Sequence, residues 1–398
     1  MKKLLLATAA MALVAGATAG AAGAEDIKLG ISVGFTGPLE SMAGPMAEAA
    51  ELAMKEVTDS GKLLDGSTVT AVRADSTCID AAAATAAVER IVTSDRVKGI
   101  MGGMCSGETI ATLQNVAMPN GIVMISPSAT SPALSTLEDN GLFFRTAPSD
   151  ARQGVVMTEI LMDRGFKEVA VTYTNNDYGK GLADSFQAAF EEAGGTVTIS
   201  LPHEDGKADY SAEVGALASA GGEALVVAGY IDQGGAGVLR GALDTGAFDT
   251  FVFPDGMVGS SLEENFGPEI EGSFGQNPAA AGAGRDAFLA MAAEAGFDGT
   301  TAFAAESYDA AALMMLAMAK AGSSDPSVWK DSVMDVANAP GEPILPGEMD
   351  KALELIAAGT EIDYVGATAV EMIGAGESAG SYREIEFRDG KLTEVGYR

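Results

Sequence analysis

The chain has 398 residues and a formal net charge of −32 at pH 7, with 56 acidic and 24 basic residues. Such an acidic excess repels phosphate backbones and anionic membrane surfaces, which argues against nucleic acid or lipid as a partner. It does not exclude a small anionic ligand, because a few local donors can hold one. The length is sufficient for two domains of ordinary size, each with its own core.

Residues 1–24 have the pattern of a cleaved secretory signal peptide. Lys2 and Lys3 precede a short apolar stretch, and Ala22-Gly23-Ala24 supplies a small-residue cleavage site before Glu25. The apolar stretch is too short to span a bilayer, and no later segment of the sequence is long and apolar enough to do so. We therefore expect an exported protein whose mature chain is soluble.

Strand-like and helical segments then alternate in two successive units. The first unit has predicted strands at 27–34, 68–74, 98–103, 122–126 and 143–145, separated by helices at 44–57, 81–92 and 109–116. The second unit has strands at 168–173, 196–199 and 224–228, with helices at 153–164, 181–193 and 211–220. This alternation predicts βαβ units and mostly parallel sheets.

The last third of the chain is rich in predicted helices. They cover 286–295, 303–321, 327–337 and 348–357. The chain then closes with a predicted β-hairpin, 382–387 and 391–395, whose turn is Asp389-Gly390.

Two polar segments each follow an apolar strand-like run. Cys105-Ser106-Gly107 comes after 97–103, and Ser126-Pro127-Ser128-Ala129-Thr130 comes after 121–125. The carboxyl ends of parallel strands face the cleft where ligands bind in open α/β sheets. Small hydroxyl side chains and backbone N–H groups at a helix start hold a carboxylate well. The two segments therefore predict a pocket for a small anionic or zwitterionic solute.

Cys78 and Cys105 are the two cysteines of the chain. Each follows a predicted strand, and neighbouring parallel strands would bring both to the same edge of a sheet. Because an exported protein meets an oxidising compartment, we expect a disulfide between them. The alternative is a reactive or metal-binding pair, which is disfavoured because the single histidine supplies no matching ligand set.

Catalysis is a different class of function that the sequence could support. Gly376-Glu377-Ser378-Ala379-Gly380 matches the G-x-S-x-G nucleophile elbow, but it lies in a polar, turn-like stretch instead of between an apolar strand and a helix. A hydrolytic triad would also need His203, which we expect to be a solvated loop residue. We therefore predict that the protein is not an enzyme and uses no cofactor and no metal.

Taken together, these features resemble the leucine/isoleucine/valine-binding family of periplasmic solute-binding proteins, which supply ABC importers. The resemblance spans essentially the whole chain after the leader. The segments that carry it are Ile27-Lys28-Leu29-Gly30 through Thr36-Gly37-Pro38, the pair Cys78 and Cys105 with Ser106, Met124 through Thr130, Asp177-Tyr178-Gly179-Lys180-Gly181, and Tyr230. Their order and spacing are specific, although each piece alone would be weak.

The resemblance implies roles for residues of the first lobe. Ser106 would donate to the carboxylate of the ligand, and Thr130 would add its backbone N–H and hydroxyl group. In the segment Ser128-Ala129-Thr130, the carbonyl group of Ser128 would accept a hydrogen bond from the ligand's ammonium group.

The second lobe would complete the site. Asp255 matches the acidic residue that pairs with the ammonium group, although the family usually has Glu there. Tyr178 and Tyr230 match two aromatic residues that close over the ligand. An aromatic residue that often lines the side-chain wall is replaced by Met42 or Ala43, which leaves the ligand side chain undefined.

The implied fold is α/β, with two Rossmann-like lobes of mostly parallel strands, three crossings between them and a ligand cleft between the lobes. The crossings would lie near Ala147, Gln276 and Gly366. Residues 25–147 and 277–366 would then form lobe 1, and residues 148–276 and 367–398 would form lobe 2.

The implied function is that of the periplasmic solute-binding component of an ABC importer. It would bind a branched-chain aliphatic amino acid by hinge closure and deliver it to a membrane permease, acting as a monomer. A rival within the same fold is a ligand without an α-ammonium group, such as an aromatic acid, an amide or another small carboxylate.

Overall fold

The computed structural model of the protein describes residues 23–374 and 376–398. The predicted signal peptide lies outside the described residues except for Gly23 and Ala24. Over the described ranges the chain forms two seven-stranded sheets and one two-stranded sheet. None of the helices found there combines the length and the apolar character that a bilayer crossing requires.

The strands alternate with helices along most of the chain. In chain order the strands are β1 (Asp26–Val33), β2 (Thr68–Asp75), β3 (Ile100–Gly102), β4 (Met124–Ser126), β5 (Phe143–Pro148), β6 (Glu168–Thr174), β7 (Thr196–His203), β8 (Ala224–Ala228), β9 (Phe251–Phe253), β10 (Phe274–Pro278), β11 (Glu342–Ile344), β12 (Ile362–Tyr364), β13 (Met372–Ile373), β14 (Glu377–Ser378), β15 (Tyr382–Arg388) and β16 (Lys391–Tyr397).

The helices in chain order are α1 (Glu40–Ser60), α2 (Ala81–Arg90), α3 (Ser106–Thr112), α4 (Met118–Asn120), α5 (Asp150–Asp163), α6 (Asp177–Glu192), α7 (Ser211–Ala220), α8 (Gly234–Thr245), α9 (Ser260–Phe266), α10 (Ala283–Ala295), α11 (Ala304–Ala321), α12 (Pro326–Trp329), α13 (Val333–Ala337) and α14 (Met349–Ala357). Single π-helical turns, Ile91–Asp95 and Leu113–Ala117, extend α2 and α3.

Both large sheets are mostly parallel, as the alternation of strands and helices predicts. The first has the order β13-β14-β5-β4-β3-β1-β2, and the second has the order β16-β15-β10-β9-β8-β6-β7. The β15–β16 pair is the predicted antiparallel hairpin. Strands covered on both faces are apolar along their whole length, and all five residues of β8 are buried. The predicted α/β class with two sheets is confirmed.

The packing of α11 brings one aromatic residue to the space between the two sheets. α11 packs against α1 and is buried along most of its length, with runs of alanine that allow a close approach of the two helices. It follows Phe303, whose φ of 66° lies in the left-handed region that a phenylalanine seldom adopts. The contacts around Phe303 must therefore stabilise this backbone conformation. The side chain of Phe303 lines the cleft between the two sheets.

The chain passes between the sheets three times, and two of the passages differ from the sequence expectation. β10 stays in the second sheet as far as Pro278, and β13 and β14 pair within the first sheet. Residues 367–398 are all assigned to lobe 2 from the sequence, and β13 and β14 contradict this assignment. These strands have no signal in the sequence, because two residues cannot show a period. We propose that the second crossing lies at 279–282 and the third at 379–381.

A disulfide joins Cys78 and Cys105, which confirms the predicted pairing. Cys78 follows β2 and Cys105 immediately precedes α3, so the bridge links the ends of two elements at one edge of the first sheet. The Cα atoms are 5.1 Å apart, within the ordinary range for a disulfide. The bridge therefore restrains the start of α3, where Ser106 lies.

We expect reduction of this disulfide to lower the free energy of unfolding by roughly 3–4 kcal/mol, because it closes a loop with a sequence separation of 27. Thermal unfolding with and without a reductant measures the loss. The double variant Cys78→Ser/Cys105→Ser is the control, since a reductant should leave it unchanged. An equal melting temperature for the oxidised and fully reduced protein would contradict the expectation.

Candidate ligand-binding site

The two polar segments that follow β3 and β4 lie side by side and are tied together by hydrogen bonds. Ser126 donates its hydroxyl to the Gly103 carbonyl (2.7 Å), and Ser128 donates its hydroxyl to the Met104 carbonyl (2.8 Å). The Ser106 Oγ accepts the backbone N–H of Ser131, the residue directly after the second segment (3.1 Å). This contact uses an oxygen lone pair of Ser106, so its hydroxyl proton can still be donated to a ligand.

Three residues of the second sheet meet in front of these loops. The Tyr178 hydroxyl donates to Asp255 Oδ1 (2.6 Å), and the Gly256 N–H donates to the same oxygen (2.8 Å). The rings of Tyr178 and Tyr230 are stacked, with centroids 5.2 Å apart. Asp255 Oδ2 is buried and has no hydrogen-bond partner among the described residues. The second lobe therefore presents a carboxylate with one oxygen unsatisfied among the described residues, next to two stacked aromatic rings.

A cleft between the two sheets brings these groups together. Its lining consists of Leu39, Met104, Cys105, Ser106, Ser128, Tyr178, Tyr230, Asp255, Gly256 and Phe303. Five of the seven residues predicted to bind ligand line this cleft: Ser106, Ser128, Tyr178, Tyr230 and Asp255. The lobes are closed over a cavity of about 10 Å³, which is room for about one water molecule. A ligand of amino-acid size must therefore enter with the lobes apart.

The other two predicted residues, Ala129 and Thr130, do not line this cavity. The Ala129 carbonyl accepts a hydrogen bond from Arg145 Nη1 (2.9 Å), and the Thr130 carbonyl accepts one from the Asp150 N–H (2.8 Å). Arg145 is buried and also donates to Glu377 Oε2 (2.6 Å). Ala129 and Thr130 thus lie in the loop that Arg145 holds in place, behind the residues that face the cleft.

Sequence reasoning missed the apolar wall of the cleft. Leu39 lies just before α1, Met104 follows β3, and Phe303 lies just before α11. Met42, proposed as part of this wall, is buried within α1 and does not line the cavity. Apolar residues at the ends of helices are read from sequence as ordinary core residues. Phe303 differs from an ordinary core residue in its left-handed backbone conformation. The sequence does not reveal this conformation, because the residue is not a glycine.

A second carboxylate lies behind Asp255. Burial raises the pKa of Asp150 well above its ordinary value, and the nearby Asp255 carboxylate raises it further. Burial also raises the pKa of Asp255, but hydrogen bonds from Tyr178 and Gly256 oppose that effect. Asp150 therefore holds its proton more tightly than Asp255 does. The hydrogen bonds from Tyr178 and Gly256 favour the charged form of Asp255, which is the carboxylate of the two that lines the cleft.

The two residues of the hydrolytic alternative belong to different sheets. Ser378 lies in β14 of the first sheet, and His203 ends β7 of the second. The expectation that His203 is a solvated loop residue is wrong, because its side chain is 1% exposed and one ring nitrogen lies 2.8 Å from the Thr172 hydroxyl. Burial lowers the pKa of His203 to about 4, so the imidazole is neutral at pH 7. These positions do not bring Ser378 and His203 together.

A family model described as periplasmic binding protein matches residues 26–337. The chain belongs to the periplasmic binding protein family. This periplasmic binding protein is 32% identical to Leu/Ile/Val-binding protein homolog 1 of Brucella melitensis over 333 residues, which cover 82% of this chain and 86% of that protein. It is 29% identical to the leucine-, isoleucine-, valine-, threonine- and alanine-binding protein of Pseudomonas aeruginosa, over 80% of this chain and 84% of that one.

Solved structures share the same fold. A leucine-binding protein of Thermotoga maritima superposes with a TM-score of 0.78 at 22% identity, and the match covers 93% of this chain and 98% of that one. A solute-binding protein of Rhodopseudomonas palustris in complex with 4-hydroxybenzoate superposes with a TM-score of 0.73 at 18% identity, over 94% and 97% of the two chains. The family is one of substrate-binding transport proteins and not of enzymes.

We expect the variant Asp150→Asn to raise the free energy of unfolding at pH 7. The unfolded chain releases the Asp150 proton near its ordinary pKa, whereas the folded protein keeps it to higher pH. As the pH rises from the ordinary pKa of aspartate towards the raised pKa of Asp150, the free energy of unfolding of the wild type therefore falls. The asparagine variant has no proton to release at this position and does not undergo this loss. The gain should shrink to nothing as the pH falls towards the ordinary pKa of aspartate.

Urea unfolding of both proteins across this pH range measures the difference. Asp249→Asn, a change at an exposed aspartate of the same lobe, is the matched control and should show no such pH-dependent gain. A loss of stability at pH 7 that persists at low pH would contradict the account of Asp150 given above.

Proposed function

We propose that this periplasmic binding protein is the solute-binding component of an ABC importer and binds an aliphatic amino acid between its lobes. The observation that carries the proposal is Asp255, a buried carboxylate that lines the cleft and whose Oδ2 has no hydrogen-bond partner within bonding distance among the described residues. A buried charge of this kind is costly unless an opposite charge pairs with it. An ammonium group on the ligand would supply that charge.

The remaining lining suits the other parts of an amino acid. The Ser106 hydroxyl would donate to the α-carboxylate, and the Ser128 carbonyl would accept from the ammonium group. Leu39, Met104 and Phe303 would surround an aliphatic side chain, which gains stability by leaving water. Polar groups on one side of a cleft and apolar groups on the other orient a small ligand that has both kinds of group.

The relatives favour the same class of ligand. The Brucella melitensis and Pseudomonas aeruginosa proteins are named for leucine, isoleucine and valine, and the latter also for threonine and alanine. The rival is an acid without an ammonium group, as in the Rhodopseudomonas palustris complex with 4-hydroxybenzoate. Asp255 distinguishes the two, because its charge attracts an ammonium group and repels a plain carboxylate.

The cellular setting follows from the same proposal. Cleavage of the signal peptide would release the protein into the periplasm, where it would deliver its ligand unchanged to a membrane permease. The net charge of −32 disfavours nucleic acid as a partner. We expect the protein to act as a monomer.

Closure of the lobes is supported by a contact outside the cleft. Asp232 of the second lobe accepts the Ser41 N–H through Oδ2 (2.9 Å), and its own N–H donates to the Pro38 carbonyl (3.0 Å). Ser41 lies in the first turn of α1, whose N-cap residue Leu39 provides no side-chain cap. Asp232 therefore caps α1 from across the cleft, which is possible only while the lobes are closed. We call this contact the Asp232 clasp.

The ligand is tested by calorimetry on protein freed of bound solute by unfolding and refolding. Leucine, isoleucine, valine and alanine should bind, whereas 4-hydroxybenzoate and a simple amide should not. The variant Asp255→Asn should bind leucine more weakly by roughly 2–5 kcal/mol, because the ammonium group would be buried without its partner.

Asp249→Asn is again the control and should retain the affinity for leucine. Binding of 4-hydroxybenzoate that is equal or stronger in Asp255→Asn, together with no binding of any aliphatic amino acid, would favour the rival. Recovery of the solute unchanged after incubation tests the expectation that the protein binds without catalysis.

The clasp has its own test. Asp232→Ala removes the cap from α1 only in the closed form, so the affinity for leucine should fall by about 0.5–2 kcal/mol, mainly through faster release. Stopped-flow dissociation measures the rate, and the melting temperature without ligand should match that of Asp249→Ala. An unchanged dissociation rate would show that the clasp does not contribute to closure.

A further inference from the structure

A second, larger cavity lies between the lobes, away from the ligand cleft. It has a volume of about 430 Å³, and its walls come from α9 and β16 on one side and from α10 and residues 298–302 on the other. A small inner cavity of about 20 Å³ adjoins it and ends at Phe303, the same residue that lines the ligand cleft. Arg285, Thr300, Thr301 and Arg383 line both cavities and so mark the junction between them.

The two arginines at this junction belong to different lobes. Arg285 lies on α10, which packs on α11 through the ring contact of Phe288 with Tyr308. Arg383 lies on β15 of the second sheet and is only 7% exposed. Its Nε and Nη2 donate to Asn277 Oδ1 (3.2 and 3.0 Å), a neutral acceptor. In the part of the chain that the structure describes, no carboxylate forms an ion pair with Arg383.

The nearby acidic residues neutralise this pair only in part, through an ion pair of Glu394 with Arg285. Glu306 lines the inner cavity, but burial raises its pKa to about 8, so it is mostly uncharged at pH 7. Glu394 lies 3.4 Å from Arg285 Nη2 and is 40% exposed. Burial lowers the pKa of Arg383, and the neighbouring Arg285 lowers it further. The guanidinium groups of Arg285 and Arg383 therefore line the same partly buried space between the lobes.

The other acidic groups lie in the outer cavity only. Glu263, Glu264 and Asp298 line it, and none of them lines the inner cavity. Glu263 already accepts the Leu392 N–H (2.9 Å), and Asp298 already accepts the Thr300 hydroxyl (2.7 Å). The Thr301 hydroxyl has no such contact among the described residues and is available to donate.

We propose that Arg285, Arg383 and the Thr301 hydroxyl form a second binding site, for a small oxyanion such as phosphate, sulfate or a carboxylate. Guanidinium groups and a hydroxyl are the donors that such oxyanions accept in charge-assisted hydrogen bonds. The anion would neutralise Arg383, which forms no ion pair among the described residues, and it would add a second partner to Arg285, whose ion pair with Glu394 is partly exposed. The inference does not rest on the ligand proposed for the cleft.

The position of the site makes the anion an effector of closure. It joins α10 of one lobe to β15 of the other, so it binds best in the arrangement that holds Arg285 and Arg383 together. By linkage, an anion that prefers the closed form tightens binding in the cleft, and a cleft ligand tightens anion binding by the same factor. Coupling between two sites in one protein is typically about 5–150-fold.

The site is tested by thermal unfolding and calorimetry with phosphate, sulfate, acetate and chloride at constant ionic strength, in a buffer free of other oxyanions. The melting temperature should rise with phosphate, sulfate or acetate until one site is filled, and chloride should have little effect. Arg285→Gln and Arg383→Gln should each weaken anion binding at least about tenfold, because each removes a charged donor. Arg240→Gln, which removes an exposed charge of the second lobe, should bind as the wild type does.

Thr301→Val is a second test that does not depend on the folding of Arg383→Gln. It should weaken anion binding severalfold, because it removes the hydroxyl donor. Equal stabilisation of the wild type, Arg240→Gln and Arg285→Gln would show a general salt effect and overturn the proposal. Absence of any anion-dependent stabilisation in the wild type would overturn it as well. Binding of leucine is measured first in the oxyanion-free buffer, so a failure of the cleft assignment is recognised separately.

Discussion

The hydrogen bond from Tyr178 to Asp255 holds a carboxylate in a position that is almost fully buried. Its second oxygen is unsatisfied within the described chain, so the closed arrangement is complete only when a positive group enters the cleft. Burial and the neighbouring Asp255 raise the pKa of Asp150, whereas hydrogen bonds from Tyr178 and Gly256 favour the charged form of Asp255. The chemistry of the ligand and the closure of the lobes thus depend on the same buried carboxylate.

Rigid connections surround that charge. Ser126 and Ser128 fix the two loops of the first lobe to each other, and the Cys78–Cys105 bridge braces the start of α3. On α11, the Asp309 carboxylate accepts hydrogen bonds from the Tyr364 hydroxyl at the end of β12 and from the Ala367 and Thr368 N–H groups that follow it. Such pre-organisation lowers the entropy that ligand binding must overcome, because few groups remain to be ordered.

Two features reach across the lobes without touching the ligand cleft. The Asp232 clasp caps α1 from the opposite lobe, and Arg285 of one lobe and Arg383 of the other line the same second cavity. Both place electrostatic contacts where they exist only when the lobes are together. Contacts of this kind set the population of the closed form, and the affinity for any cleft ligand follows from that population.

The sequence by itself determined the class of the fold, the disulfide and the loops that form the polar side of the cleft. These depend on local signals: the alternation of strands and helices, two cysteines in an exported chain, and hydroxyl residues that directly follow apolar strands. The match of Asp255, Tyr178 and Tyr230 to a family motif likewise needed only their order in the chain. The short strands β13 and β14 were missed because two residues cannot show a period.

Only the tertiary structure decided which distant side chains share one environment. Phe303, Leu39 and Met104 form the apolar wall, His203 is buried, and Asp150 lies behind Asp255, although none of these positions is marked in the sequence. Their chemistry comes from desolvation and from neighbours far away along the chain. Burial and long-range contacts are properties of the packed molecule, so the amino-acid pattern of a single segment does not contain them.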